Sequence, residues 1–145
     1  MIALIQRVNW AQVHIEKKLQ AEIGQGLLAL IGVEKEDTLA TADKLLKKLL
    51  AFRVFTDSEG KMNLDIKDTG GDLLLVSQFT LAASTDKGLR PSFSSAKEPA
   101  EAEQIYNQLV EMAGKQHECV ESGVFGADMQ VALENDGPVT FILKV

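Results

Sequence analysis

The stretch Gly26-Leu27-Leu28-Ala29-Leu30-Ile31-Gly32-Val33-Glu34 is apolar from Leu27 to Val33, with no alternation. Successive side chains of a strand point to opposite faces, so a strand with one wet face alternates apolar and polar residues. A run without a polar member reads as a strand covered on both faces. Leu73-Leu74-Leu75-Val76 repeats the pattern and leads straight into Ser77-Gln78-Phe79-Thr80. Half-buried strands surround these two. Ala11-Gln12-Val13-His14-Ile15-Glu16 alternates and belongs to an opening hairpin. Met129, Val131 and Leu133 alternate with Gln130 and Glu134, and Val139, Phe141, Leu143 and Val145 alternate with Thr140 and Lys144. Asn135-Asp136-Gly137-Pro138 between them reads as a hairpin turn.

Two helices complete the pattern. Asp37 and Thr38 both suit an N-cap. After them Leu39, Ala42, Leu46, Leu49, Leu50 and Arg53 recur at helical spacing, so an amphipathic helix is expected to end near Arg53. Lys44, Lys47 and Lys48, the densest basic cluster, read as its solvated face, with an RNA contact as the alternative. Asp57-Ser58-Glu59-Gly60 is a turn. Ala83 to Pro99 is rich in Ser, Lys, Gly and Pro and reads as a long loop, a common place for function. Pro99 suits the first turn of a second helix, whose stripe Ala102, Ile105, Tyr106, Leu109 and Ala113 packs on the core. The order β, β, β, α, β, loop, α, β, β predicts one α+β domain over residues 1–145. Its largely antiparallel sheet forms barrel-like layers, with two main helices packed on them.

The chain has 145 residues, 46% hydrophobic and 25% charged, enough for a core without disulfides. Its single cysteine, Cys119, reads as a small buried hydrophobe in a reducing compartment. The opening Met1-Ile2-Ala3-Leu4-Ile5-Gln6-Arg7 is too short and too polar for a signal peptide, and no apolar run approaches the ~18 residues of a membrane span. A cytoplasmic location is expected. The net charge of −6 argues against broad nucleic-acid binding, which needs clustered Lys and Arg, but allows a grip on one RNA end.

Much catalytic chemistry is missing. His14 and His117 cannot make a metal centre unaided, and neither stands in a ligand spacing. His14 reads as a surface residue, and His117 as a cation near a helix C-terminus. There is no GxSxG elbow, no Walker loop and no GxGxxG. No metal or cofactor is expected.

Two motifs remain. Ser77-Gln78-Phe79-Thr80-Leu81 follows a buried strand, where backbone N–H groups held by a rigid element can stabilise an oxyanion. Asn135-Asp136-Gly137-Pro138-Val139-Thr140 has a tip with one N–H missing and one side chain missing, which exposes carbonyl oxygens. Each alone is explained by turn hydrogen bonding. Together, in this order and separation, they resemble the two signature motifs of the D-aminoacyl-tRNA deacylases (the D-tyrosyl-tRNA(Tyr) deacylase family). Lys87-Gly88-Leu89-Arg90-Pro91-Ser92-Phe93, Gly123-Val124-Phe125-Gly126-Ala127-Asp128-Met129 and Gln6-Arg7-Val8 resemble the same family.

The resemblance implies a deacylase-like fold, similar to the editing domain of archaeal threonyl-tRNA synthetases. It implies a homodimer in which a cis Gly137-Pro138 peptide of one subunit enters the other's site. The substrate would be a D-aminoacyl-tRNA 3′ end, with glycyl-tRNA also accepted, in a proofreading role. L-residues would be rejected because their side chain meets the Gly-Pro corner. Ser77, Gln78 and Phe79 would face the adenosine and carbonyl end, with the Phe79 amide as oxyanion donor. Thr80 would support them, Arg7 would hold the Gly-Pro loop, and Met129 would pack near the terminal adenine. Two other classes fit the residues alone. A serine or threonine esterase would use Ser77 or Thr80 as nucleophile. A binding module would hold RNA 3′ ends without chemistry.

Overall fold

A computed structural model describes residues 1–85 and 88–145; Lys87, noted above, lies outside them. Its strands are β1 (Ile2–Ile15), β2 (Lys18–Ile23), β3 (Gly26–Gly32), β4 (Phe55–Thr56), β5 (Met62–Leu64), β6 (Asp72–Ser77), β7 (Val120–Ser122) and β8 (Gln130–Lys144). The helices are α1 (Leu39–Leu50), α2 (Ile66–Thr69) and α3 (Pro99–Gln116), with a 3-10 turn at Phe79–Ala82.

β1 turns back through Glu16 and Lys17, both at positive φ, as tight two-residue hairpins of the right twist require. β2 and β3 then keep one register along a single edge of β1, from Ala11↔Ile23 to Val8↔Gly26 and Ile2↔Gly32. β8 takes the other edge of β1. β3 continues the sheet through β6 to β7, and both of these pairings are parallel. The antiparallel reading thus holds around β1, whereas β6 and β7 are entered through α2 and α3. β2 comes back near β6 and β7, which curls the sheet into a nearly closed barrel.

The covered strands are covered for the stated reason. Leu27, Ala29 and Ile31 of β3 pack with α1 and α3 residues such as Leu46 and Tyr106. Leu28 faces the other way, with Val8, Ala11, Val13, Leu74 and Val76. The long strand β1 serves both clusters.

The structure corrects several expectations. The segment 135–138 is no hairpin turn. β8 runs on through it, because each half pairs with β1 and not with the other half. The strand-like alternation is the same in both cases, so it could not distinguish them. α1 ends at Leu50, short of Arg53, and its N-cap is Thr38, whose hydroxyl accepts from the Thr41 N–H at 3.4 Å. Asp37 instead accepts from the Met1 amino group at 2.7 Å. The short helix α2, capped by Asp65 and ended by Gly70 at φ 65, was not foreseen. His117 is the C-cap of α3, and its Nε2 donates to the Gly71 carbonyl at 2.7 Å. Cys119 is exposed, not buried. Local desolvation, then the carboxylates of Asp72, Glu118 and Glu121, raise its thiol pKa, so it stays protonated and a poor nucleophile. Among the described residues no helix is long and apolar enough to cross a membrane.

Gly26 marks the tightest approach in the sheet. A Cβ there would stand 1.9 Å from the Asp72 carbonyl oxygen, on backbone that pairs β3 with β6. Gly26→Ala is therefore expected to lower stability by about 1–3 kcal/mol or more. Urea unfolding of the two proteins measures the difference, and equal midpoints would contradict this reading of the β3–β6 contact.

Candidate active site

The end of β6 is held as firmly as a strand end can be. Val76 is buried, Ser77 pairs with Ile31, and the Gln78 N–H donates to the Ile31 carbonyl at 2.7 Å. The chain then folds into the 3-10 turn, which lies close over Gly32. A Cβ on Gly32 would come within 2.9 Å of Leu81 Cβ. Inside the turn, Gln78 Nε2 donates to Thr80 Oγ1 at 2.7 Å. Among the described residues the Phe79 N–H meets no acceptor. The Phe79 ring is half exposed and stacks on Phe93, with centroids 4.6 Å apart.

A pocket of about 400 Å³ opens beside this turn. Ser77, Gln78 and Phe79 form one part of its lining, and Lys97, Pro99 and Ala102 contribute from the start of α3. Phe125, Gly126, Ala127 and Met129 complete it. Most of this lining is apolar, so an enclosed group would lose water, and polar contacts made to it would strengthen.

Two devices shape that wall. Gly123 leaves room for Met129, whose Sδ would be 2.7 Å from a Cβ at that position. Met129 thus lines the pocket and packs on the Val8–Val76 cluster at once. Tyr106 reaches under the site from α3. Its hydroxyl donates to the Leu75 carbonyl at 2.9 Å and lies 3.4 Å from the Gly123 carbonyl. Burial raises its pKa far above the ordinary range, so it remains a donor at any working pH. It fastens β6 to the segment carrying Phe125.

The second motif forms a separate corner. Opposite Arg7 of β1, β8 carries the four residues Asp136 to Val139, because Gln6 pairs with Thr140 and Val8 with Asn135. This surplus leaves the sheet. The Gly137-Pro138 peptide at its tip is cis, and both residues are exposed. Pro138 has no N–H, and side chains close the loop. Asn135 Oδ1 accepts from the Val139 N–H at 2.7 Å, and Asn135 Nδ2 donates to Thr140 Oγ1 at 2.9 Å. Arg7 clamps the other side. Its Nε donates to the Asp136 carbonyl at 3.2 Å and stands 2.9 Å from Asp136 Oδ2. Its Nη1 donates to the buried Val54 carbonyl at 2.7 Å.

Ser77, Gln78, Phe79 and Met129 are brought together in the pocket. Thr80 stands behind Gln78. Arg7, Gly137 and Pro138 stand together, but none of the three lines the pocket. Gly137 has φ 131, and a Cβ there would meet Val139 Cγ2 at 2.7 Å and Arg7 Nη2 at 3.3 Å. An alanine would therefore distort the loop before it met any ligand. Lys97, Pro99 and Ala102 were not anticipated as lining; the loop composition before Pro99 was their only signal. Neither histidine lines the pocket, and no group of three His, Cys, Asp or Glu side chains among the described residues could hold a metal.

Comparison with known proteins places the whole chain in one family. The sequence profile of the family described as D-Tyr-tRNA(Tyr) deacylase matches residues 4–144. The chain is 60% identical over 144 residues to a D-aminoacyl-tRNA deacylase of Stutzerimonas stutzeri (strain A1501), covering 99% of each chain. It is 53% identical over 145 residues to one of Cellvibrio japonicus (strain Ueda107), covering 100% of this chain and 99% of that one. Among solved structures, one titled c-Myc DNA Unwinding Element Binding Protein superposes with a TM-score of 0.96 at 38% identity, covering 100% of this chain and 99% of that one. A probable eukaryotic D-amino acid tRNA deacylase gives 0.86 at 17% identity, covering 99% and 98%, a likeness of fold.

Removing only the Tyr106 hydroxyl tests the fastening under the pocket. Tyr106→Phe leaves the Leu75 and Gly123 carbonyls without that donor and is expected to lower unfolding free energy by about 1–3 kcal/mol. Chemical denaturation checks it, and an unchanged midpoint would mean that the bond contributes nothing.

Proposed function

The chain belongs to the D-Tyr-tRNA(Tyr) deacylase family, hydrolases that cut the ester of D-aminoacyl-tRNA, and from that premise we propose how its own residues perform the reaction. The terminal adenosine enters the apolar pocket, with its base toward Met129 and Phe125. The ester carbonyl lies at the Phe79 amide. One observation carries this reading: an N–H with no acceptor among the described residues, held on a fixed strand end in the wall of a pocket. Such a donor needs no reorganisation when charge develops on the carbonyl oxygen.

Water adds to the carbonyl carbon, the bond to the ribose oxygen breaks, and that oxygen leaves with a proton. Ser77 and Gln78 border the reacting end and orient the ester. Thr80 is a supporting residue, since its hydroxyl accepts from Gln78 and no histidine stands by to activate it. No acyl-enzyme forms. The substrate's own 2′-hydroxyl supplies the polar group that the protein lacks.

Stereochemistry is set by the Gly137-Pro138 corner of a second copy, entering this pocket in a homodimer. The corner's exposure and its absence from the pocket of its own subunit support this, as does the fact that β8 pairs with β1 alone among the described strands. Exposed Phe141 and Ile142 on β8 offer apolar area for such contact. An L-side chain would collide with the corner, whereas a D-side chain points to solvent. Glycine has no side chain to reject, so glycyl-tRNA is also a substrate. The enzyme works in the cytoplasm, on tRNA gripped by its end.

The first test offers D-tyrosyl-tRNA and L-tyrosyl-tRNA to the protein and measures the remaining ester. The D-ester is expected to disappear selectively. Equal survival would favour a mere binding module, and a covalent adduct on Ser77 or Thr80 would favour an esterase. The second test addresses the corner through its clamp. Arg7→Ala is expected to lower kcat/KM for the D-ester by about 10–100-fold while the protein stays folded, since small misplacement near a reacting centre costs on that order. Full activity in this variant, or a wild type that sediments as a monomer during turnover, would remove the corner from the mechanism.

A further inference from the structure

The pocket has one cation among its lining residues, Lys97. Its backbone is fixed, since its N–H donates to the Val33 carbonyl at 3.2 Å. Its side chain is only 12% exposed, so most of it lies along protein, and the residue lines the pocket. The ammonium's partner is Glu101 at 3.4 Å, a carboxylate 66% exposed. That is a long pair with one solvated partner, of a kind that adds little to stability. It also uses one of three donors.

Helix stability does not account for a lysine here. Lys97 stands just before α3, whose first helical residue is Pro99, and a cation at that end gains nothing from the helix field. Solubility does not account for it either, because the chain already carries a net charge of −6.

We propose that Lys97 binds the phosphodiester on the 5′ side of the nucleoside held in the pocket. The assignment rests on reading that pocket as the site of the terminal adenosine. A nucleoside at a chain end carries one such monoanion directly beside its sugar. Lys97 is the lining residue with the charge to meet it, and an ammonium on a flexible stem suits a single oxygen contact. Glu101 gives up the ammonium to the phosphate at little cost, being solvated itself. Lys97 is thus a positioning residue: it sets how far the 3′ end enters and takes no part at the ester.

Steady-state kinetics of wild type, Lys97→Gln and Lys97→Arg on two substrates test this. One is D-tyrosyl-tRNA. The other is 3′-O-(D-tyrosyl)adenosine, which ends in a 5′-hydroxyl and has no phosphate. Lys97→Gln is expected to raise KM for the tRNA about 5–10-fold with little change in kcat, and to reduce the salt slope of log kcat/KM by about one. Its loss on the tRNA should exceed its loss on the adenosine ester by about fivefold or more, and Lys97→Arg should recover most of it. Equal losses on both substrates, or an unchanged salt slope on tRNA, would overturn the assignment. Should the adenosine ester turn over too slowly to follow, the salt slope alone decides. A wild type inactive on the tRNA would instead bring down the reading of the pocket, and the role of Lys97 with it.

Discussion

β1 has partners along both edges, and most of the molecule follows from that constraint. β2 and β3 occupy one edge and share one register from Ile2 to Val13, and β8 occupies the other. A strand confined in this way cannot slip, because a shift of one residue would turn its core side chains to the wrong face. Residues of β8 in excess of the register must therefore leave the sheet. The four from Asp136 to Val139 do so opposite Arg7. The projecting corner is a result of strand pairing, and its place is fixed by residues far from it in the chain.

The pocket depends on the same sheet from the other side. β3 is bound to β1, β6 to β3, and the Gln78 amide to Ile31, so the Phe79 N–H is placed through a chain of ladder bonds. Tyr106 ties that strand to the opposite wall from below. With that donor fixed and the walls apolar, little reorganisation would remain for the reaction proposed there. On the mechanism proposed above, such a site can work without a Ser-His-Asp triad, because an aminoacyl ester is already activated and needs placement and charge stabilisation most.

Much of this was legible in the residues. The unalternating runs at 27–33 and 73–76 announced strands covered on both faces, and they are. The two motifs at 77–81 and 135–140 carried the family. What escaped has physical reasons. A hairpin and a kinked continuous strand share one alternation, since the difference lies in a nonlocal partner. Asp37 looked like a cap because nothing in its neighbourhood tells of the Met1 amino group, which joins it across the fold. Cys119 looked buried because burial of one small residue depends on its surroundings, here the acidic edge around Asp72. Lys97 was hidden in a polar loop, and only folding sets its stem against the pocket.

The clamp on the projecting corner has its other end in the helical layer. Arg7 grips Asp136 with one nitrogen and the carbonyl of Val54 with another, and Val54 is wholly buried just beyond α1. The corner is therefore steadied by the packing of α1 as well as by the sheet. Warming that loosened α1 would blur the corner's position before the sheet gave way. On the proposed role of that corner, accuracy in telling mirror images apart would then fade at a lower temperature than the ability to hydrolyse, which would give fidelity a thermal margin of its own.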